Sequence, residues 1–359
     1  MSKLNVHDFG AIGDGVANDT AAFQAALDAA GKIGGTVHVP EGTFLVGRLQ
    51  LHPHTGIVGS ATWSYREPGG SILKLADASA SCLIDITGAR GATVNGLSLL
   101  GEDLGQGIHG ILMGEFPGKD QEDAPRIERC HISHFSGNGI HLAPAWCFSV
   151  RSCEVIFNGG HGLLVGGWDG FVLDNWFSGN GGAGFATVGA NSSNTLTGNR
   201  IEWNQGGGIV IHGGSHYNIT GNYIDRSGGP AIVLGALDSS PCFCITATGN
   251  VIYRSGKPDW TSDDPLDSAH VRLEDTHGLA FTGNSMCVGQ DDGGGVNSPQ
   301  IGIVLRSLAN SVVTNNTLHI GAIAELIHDL GGHDNVVIKD NPGSLLLTPE
   351  EPIWVSPQR

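Results

Sequence analysis

The feature that most constrains this chain is a repeat. Four segments superpose without gaps: Leu173-Asp174-Asn175-Trp176-Phe177-Ser178, Thr197-Gly198-Asn199-Arg200-Ile201-Glu202, Thr220-Gly221-Asn222-Tyr223-Ile224-Asp225 and Thr248-Gly249-Asn250-Val251-Ile252-Tyr253. Their asparagines step by 24, 23 and 28 residues, and the register runs on to Asn284, Asn316 and Asn341 and back through Cys153 and Cys130. An apolar residue follows two places after each asparagine as far as Asn316. A second short apolar strand follows a Gly-rich turn, as in Gly162–Val165, Gly208–Ile211 and Gly302–Leu305. A fixed period in this range marks a solenoid, and a turn of about 23 residues with three short strands is one coil of a parallel β-helix. Stacked coils place asparagine above asparagine, so their amides can bond along the stack.

Composition agrees. Glycine fills 57 of 359 positions, more than twice the usual ~7%, which suits many short strands joined by tight turns. The 40% hydrophobic and 15% charged content argues against disorder. The formal net charge is −17, a field that repels polyanions, so nucleic acid and acidic membrane surfaces are poor partners. No apolar run is long enough to span a bilayer. The start, Met1-Ser2-Lys3-Leu4, carries no leader-like segment, which implies a cytoplasmic chain, or a secreted one if a leader has been removed. The seven cysteines lack C-x-x-C spacing and are expected as buried free thiols.

The expected organisation is an all-β parallel β-helix of about ten coils over 51–341, an N-terminal cap over 1–50 and a tail over 342–359. In the cap, Asp19-Thr20 reads as a helix N-terminus, and Phe23, Ala26, Leu27 and Ala30 form its apolar stripe. The open C-terminal end and the apolar segments Leu345-Leu346-Leu347 and Ile353-Trp354-Val355 lead to the expectation of a homo-oligomer.

The opening Val6-His7-Asp8-Phe9-Gly10-Ala11-Ile12-Gly13-Asp14-Gly15, followed by Asn18-Asp19-Thr20, Gly34-Gly35-Thr36-Val37 and Val39-Pro40-Glu41-Gly42-Thr43-Phe44, resembles that of pectate-lyase-like right-handed β-helix proteins. That superfamily includes polygalacturonase-related hydrolases, polysaccharide lyases, mannuronan epimerases, tailspikes and inulin fructotransferases. The resemblance implies a right-handed coil, a poly- or oligosaccharide partner and, as in tailspikes and inulin fructotransferases, a homotrimer, without choosing a reaction. Polygalacturonase-like motifs are only echoed: Gly289-Gln290-Asp291-Asp292 and Gly160-His161-Gly162 occur in reversed order. The epimerase segment Asp-Pro-His is missing.

Strand alternation then assigns faces, because positions +1 and +3 after each asparagine point outward. Glu202 and Asp225 fall on equivalent outward positions of adjacent coils. With strands ~4.8 Å apart, two carboxylates there repel by about 3 kcal/mol at an effective dielectric of 20, and one should hold its proton. Such a pair, flanked by Trp176, Arg200, Tyr223 and Tyr253, fits a retaining glycoside hydrolase or intramolecular transglycosylase on a weakly charged glycan. The alternative is two surface carboxylates neutralised by Arg200 and Arg226. The next face offers His212, Arg272, Glu274 and Arg306. Lyases of this superfamily use that face with an arginine or lysine base, so a polysaccharide lyase is the second enzyme reading. A structural ion-pair ladder is the bland one, and a non-catalytic glycan-binding spike is the third class. Trp260, in the insertion Ser255–Ser268, and Asp169, in the turn Gly166-Gly167-Trp168-Asp169-Gly170, are further sugar-binding candidates. No cofactor is expected. The acidic loops with Asp259, Asp263, Asp264, Asp267, Asp291 and Asp292 leave calcium open.

Overall fold

The computed structural model describes residues 4–116, 121–257, 262–289 and 298–346. Two compact units emerge, Met1–Gly181 and Gly182–Arg359.

The first unit stacks seven parallel strands in one sheet: Asp14–Asn18, Gly42–Val46, Ser71–Leu75, Ser98–Leu100, His131–Ser133, Glu154–Ile156 and Trp176–Ser178. Their central residues Leu73, Leu99, Ile132, Val155 and Phe177 are fully buried, as the alternation requires. The cap helix is Thr20–Gly31, and its buried residues are Phe23, Ala26, Leu27 and Ala30. Phe23 meets Phe44 edge-on at 5.1 Å. Asp19 stands at the N-cap but does not cap the helix. Its carboxylate instead accepts from the N–H groups of Ile12 and Gly13 at 2.7 and 3.0 Å, holding the preceding loop.

The second unit stacks Arg200–Glu202, Tyr223–Asp225, Val251–Tyr253, Ser285–Cys287, Thr317–Ala322 and Gly343–Leu345. Ile201, Ile224, Ile252, Met286 and Leu318 point into its core. Asparagines lock the turns ahead of these strands. Asn199 donates through its backbone N–H and its amide to Asn222 Oδ1 at 3.0 and 2.9 Å, and the same pair of bonds joins Asn222 to Asn250, Asn250 to Asn284 and Asn284 to Asn316. The register ends at Asn341, which receives both donors of Asn316. Gly198, Gly221, Gly249 and Gly283, each just ahead of an asparagine, have φ between 64° and 70°. That left-handed turn is why glycine recurs there.

The cysteines are free, but only four of them are buried: Cys147 and Cys287 are half-buried and Cys244 is exposed, because each lies at an outward or turn position. Among the described residues no helix is long and apolar enough to cross a membrane.

Candidate functional site

Glu202 and Asp225 are Cα partners on neighbouring strands of the second unit, as the repeat spacing predicts. Both leave the outer face of the sheet, yet neither is open to water: their side chains are 6% and 2% exposed. Side chains from the same turns close over them. Arg200 Nε donates to Glu202 Oε2 at 2.8 Å while the rest of Arg200 stays half exposed. Arg226 pairs with Asp225 Oδ2, and its guanidinium stands 5.2 Å from the Trp203 ring and 5.0 Å from that of Tyr253. Arg200 lies 5.0 Å from the Tyr223 ring in the same manner. Tyr223 and Tyr253, expected as sugar platforms, are therefore half-buried rings already covered by guanidinium groups.

Burial pushes the Asp225 carboxyl up to about 6, against the pull of Arg226 and with a further push from Glu202. Asp225 Oδ1 is buried and makes no hydrogen bond among the described residues. Two arginine-paired carboxyl groups on consecutive turns, one of them titrating near neutrality, are an acid–base pair in form. The ion pairs expected of neutralised surface carboxylates are present as well, but burial gives them a different consequence.

The second face assembles as predicted, as a network of ion pairs. Glu274 receives Arg306 at 2.8 Å and Arg272 at 3.1 Å, and Arg272 also reaches Asp264 at 2.8 Å and Asp267 at 2.7 Å. Those carboxylates outweigh burial and raise the Arg272 pKa still further, which works against its use as a base. His212 lies two turns from Arg272 on this face, and its own partner on the intervening turn is Gly235. Trp176 and Asp169 belong to the first unit. Trp176 packs on Tyr65 at 5.2 Å and Trp63 at 6.3 Å; Asp169 Oδ2 accepts from Trp146 Nε1 at 2.9 Å. Trp260, Asp259, Asp291, Asp292, Leu347 and the segment 353–355 lie outside the described residues. Of the acidic loop residues that are described, Asp264 and Asp267 are engaged by Arg272, and Asp263 lines a cleft of about 350 Å³ with Lys257. Among the described residues no group of three or more His, Cys, Asp or Glu is arranged to hold a metal.

The family described as right handed beta helix region matches residues 118–256 and 190–343. The chain belongs to this family. A second family, described as rhamnogalacturonase A/epimerase, pectate lyase-like, matches residues 3–71, the cap whose motifs carry the resemblance noted above. Mannuronan C5-epimerase AlgE5 of Azotobacter vinelandii is 33% identical over 235 residues, 59% of this chain but 23% of that protein. The chain thus spans about a quarter of that relative's length. The A-module of mannuronan C-5 epimerase AlgE4 from the same organism superposes with a TM-score of 0.66 at 20% identity, covering 95% of this chain and 97% of the module. DFA-IIIase of Arthrobacter chlorophenolicus A6 gives 0.63 at 12% identity, covering 94% and 86%. These two likenesses are of fold.

Three polar residues of this β-helix chain, His131, Ser133 and His109, escaped the sequence reading, which placed their neighbours Glu154 and His141 at outward positions. His131 and Ser133 are the +1 and +3 residues after Cys130, directly beside Glu154, the +1 residue after Cys153. On the other sheet, the rings of His109 and His141 lie 4.7 Å apart. Burial lowers both, His109 to about 4 with help from His141, and lowers His161 as well. These imidazoles are neutral at neutral pH.

Proposed function

We propose that the protein is a carbohydrate-active enzyme that cleaves or transfers glycosidic bonds of a weakly charged poly- or oligosaccharide. The observation that carries this reading is the Glu202–Asp225 pair: two carboxyl groups on consecutive turns, one bound to Arg200 and one protonatable near pH 6. Adjacent parallel strands hold such groups near the ~5–5.5 Å of retaining enzymes, below the ~6.5–9.5 Å of inverting ones. Asp225 protonates the departing oxygen, and Glu202 attacks the anomeric carbon once Arg200, the half-exposed member of the cluster, swings aside. Asp225, now ionised, then takes a proton from the acceptor, whose oxygen attacks the anomeric carbon and displaces the Glu202 carboxylate. Water as acceptor gives hydrolysis; a hydroxyl of the same glycan gives internal transfer. The net charge of −17 favours a substrate with few acidic groups.

One observation favours a second reading. The 33% identity to a mannuronan C5-epimerase points to proton exchange at carbon on a uronan, for which the same pair would act as base and acid. The absent Asp-Pro-His segment weighs against it. A panel of neutral and uronic glycans, incubated with the protein and analysed by reducing-end assay and by proton NMR, separates them. New reducing ends, or a cyclic product without them, support cleavage or transfer; an inverted C5 in an uncut chain supports epimerisation and overturns the first reading.

A further inference from the structure

The first unit holds a second polar centre that the Glu202–Asp225 pair does not use. Strand alternation sends His131 and Ser133 out of the same face, and the parallel register sets Glu154 beside His131. Ser133 Oγ lies 2.9 Å from His131 Nε2, and His131 Nδ1 lies 2.8 Å from Glu154 Oε2. An ionised carboxylate only accepts, so Nδ1 carries the ring proton and Nε2 turns its lone pair toward the Ser133 hydroxyl. Each of the three residues is at most 1% exposed, so the relay operates out of bulk water. Glu154 Oε1 makes no hydrogen bond among the described residues. A buried carboxylate spent on a single imidazole bond is an expensive way to hold two strands together, and a functional demand on the imidazole explains it.

Above the relay is a cleft of about 300 Å³, lined among others by Tyr65, Arg66, Glu102, His131, Ser133 and His134. Its outer wall is the loop closed by the Ala61–Gly70 bridge. Tyr65 pins that loop: its hydroxyl is 3.0 Å from Ser178 Oγ, and its ring packs against Phe157 at 5.1 Å and Trp176 at 5.2 Å. A nucleophile, a base, an orienting carboxylate and a walled space beside them meet the geometric requirements for acyl transfer.

We propose that this cleft is a serine ester-hydrolase centre that removes a small acyl group from a hydroxyl. Ser133 Oγ attacks the acyl carbonyl carbon as its proton passes to His131 Nε2. The tetrahedral intermediate collapses, the bond from the carbonyl carbon to the alcohol oxygen breaks, and His131 returns the proton to that oxygen. Water then repeats the sequence on the acyl-serine, giving the free carboxylic acid and restoring Ser133. Arg66 is the cation in the lining that can face the developing oxyanion. Ser133 and His131 are the catalytic residues; Glu154 is a positioning residue that fixes the ring and its tautomer. That the alcohol is a sugar rests on the glycan reading above; the ester chemistry does not.

The test therefore uses no glycan. The full chain is incubated with an alkyl fluorophosphonate and, separately, with p-nitrophenyl acetate. One phosphonate adduct per chain, mapped by peptide mass to Ser133, is the expected result, with ester hydrolysis lost to the same extent as labelling proceeds. Ser133→Ala and His131→Ala should each reduce acetate release at least a hundredfold, and Glu154→Gln should lower kcat with KM nearly unchanged. If Ser133→Ala does not fold, the peptide map of the unaltered chain still decides. No adduct on the folded protein, or an adduct at another residue, overturns the proposal.

Discussion

Glu202 and Asp225 stand at the same position of consecutive turns, and the burial they share makes one of them an acid that titrates near pH 6. Glu202 is one of the causes of that shift, so the two titrations are linked. In a carbon-13 titration the Asp225 carboxyl should turn near pH 6, well above an ordinary aspartate. Glu202→Gln removes a neighbouring negative charge and should move that midpoint down. A midpoint unchanged by the substitution would show that the two groups do not sense each other.

The same shift bears on stability. The folded-state pKa of Asp225 is raised, so its favourable contribution is complete below the unfolded value near 4 and is lost as pH rises through about 6. A shift of about two units corresponds to about 3 kcal/mol. Urea unfolding from pH 4 to pH 7 should show the native chain losing stability relative to Asp225→Asn over that window, with parallel curves above it.

The asparagine stack is a major brace of the second unit. Asn222 is buried, accepts two bonds from Asn199, and donates to Leu196 O and Asn250 Oδ1. Asn222→Ala leaves several buried backbone and amide groups unpaired, which should cost on the order of 3 kcal/mol. Chemical denaturation reads this directly. Asn222→Asp keeps the acceptor but loses the donor and should also be destabilised.

Two glycines separate crowding from backbone strain. A Cβ on Gly208 would sit 2.4 Å from Ala231 O and 2.6 Å from Ile224 Cγ2, whereas one on Gly221 would meet nothing within 4 Å but must accept a φ of 64°. Gly208→Ala should therefore lower stability by roughly 2–3 kcal/mol through overpacking, and Gly221→Ala by about 1 kcal/mol through strain. Thermal melts of the two variants should rank in that order.

The parts of this architecture that repeat were readable in the chain. The step between asparagines located Asn199, Asn222 and Asn250 in one ladder, placed Ile201 and Ile224 in the core, and put Glu202 beside Asp225. What covers the outward face was not readable, because coverage depends on where long side chains turn. Arg226 follows Asp225 directly, with φ of 50°, and that turn geometry folds its guanidinium back between Trp203 and Tyr253. Strand alternation alone predicted open carboxylates. The relay of His131, Ser133 and Glu154 was within reach of the same rule, since the register runs back through Cys153 and Cys130, but alternation gives the face of a side chain and not the neighbour it bonds. Asp19 shows the converse: a residue typical of an N-cap took the right place while its carboxylate was claimed by Ile12 and Gly13.

The most direct test of the central claim is the rate of glycan cleavage or transfer by the unaltered chain, Glu202→Gln, Asp225→Asn and Arg272→Ala, each shown to be folded by circular dichroism. The account predicts that either carboxamide variant loses at least a thousandfold in turnover, while Arg272→Ala, which disturbs the ion pairs formed with Glu274, Asp264 and Asp267, stays within tenfold of the unaltered chain. Near-normal turnover in both carboxamide variants, together with an inactive Arg272→Ala that had made unsaturated products before substitution, would contradict it and install the lyase reading.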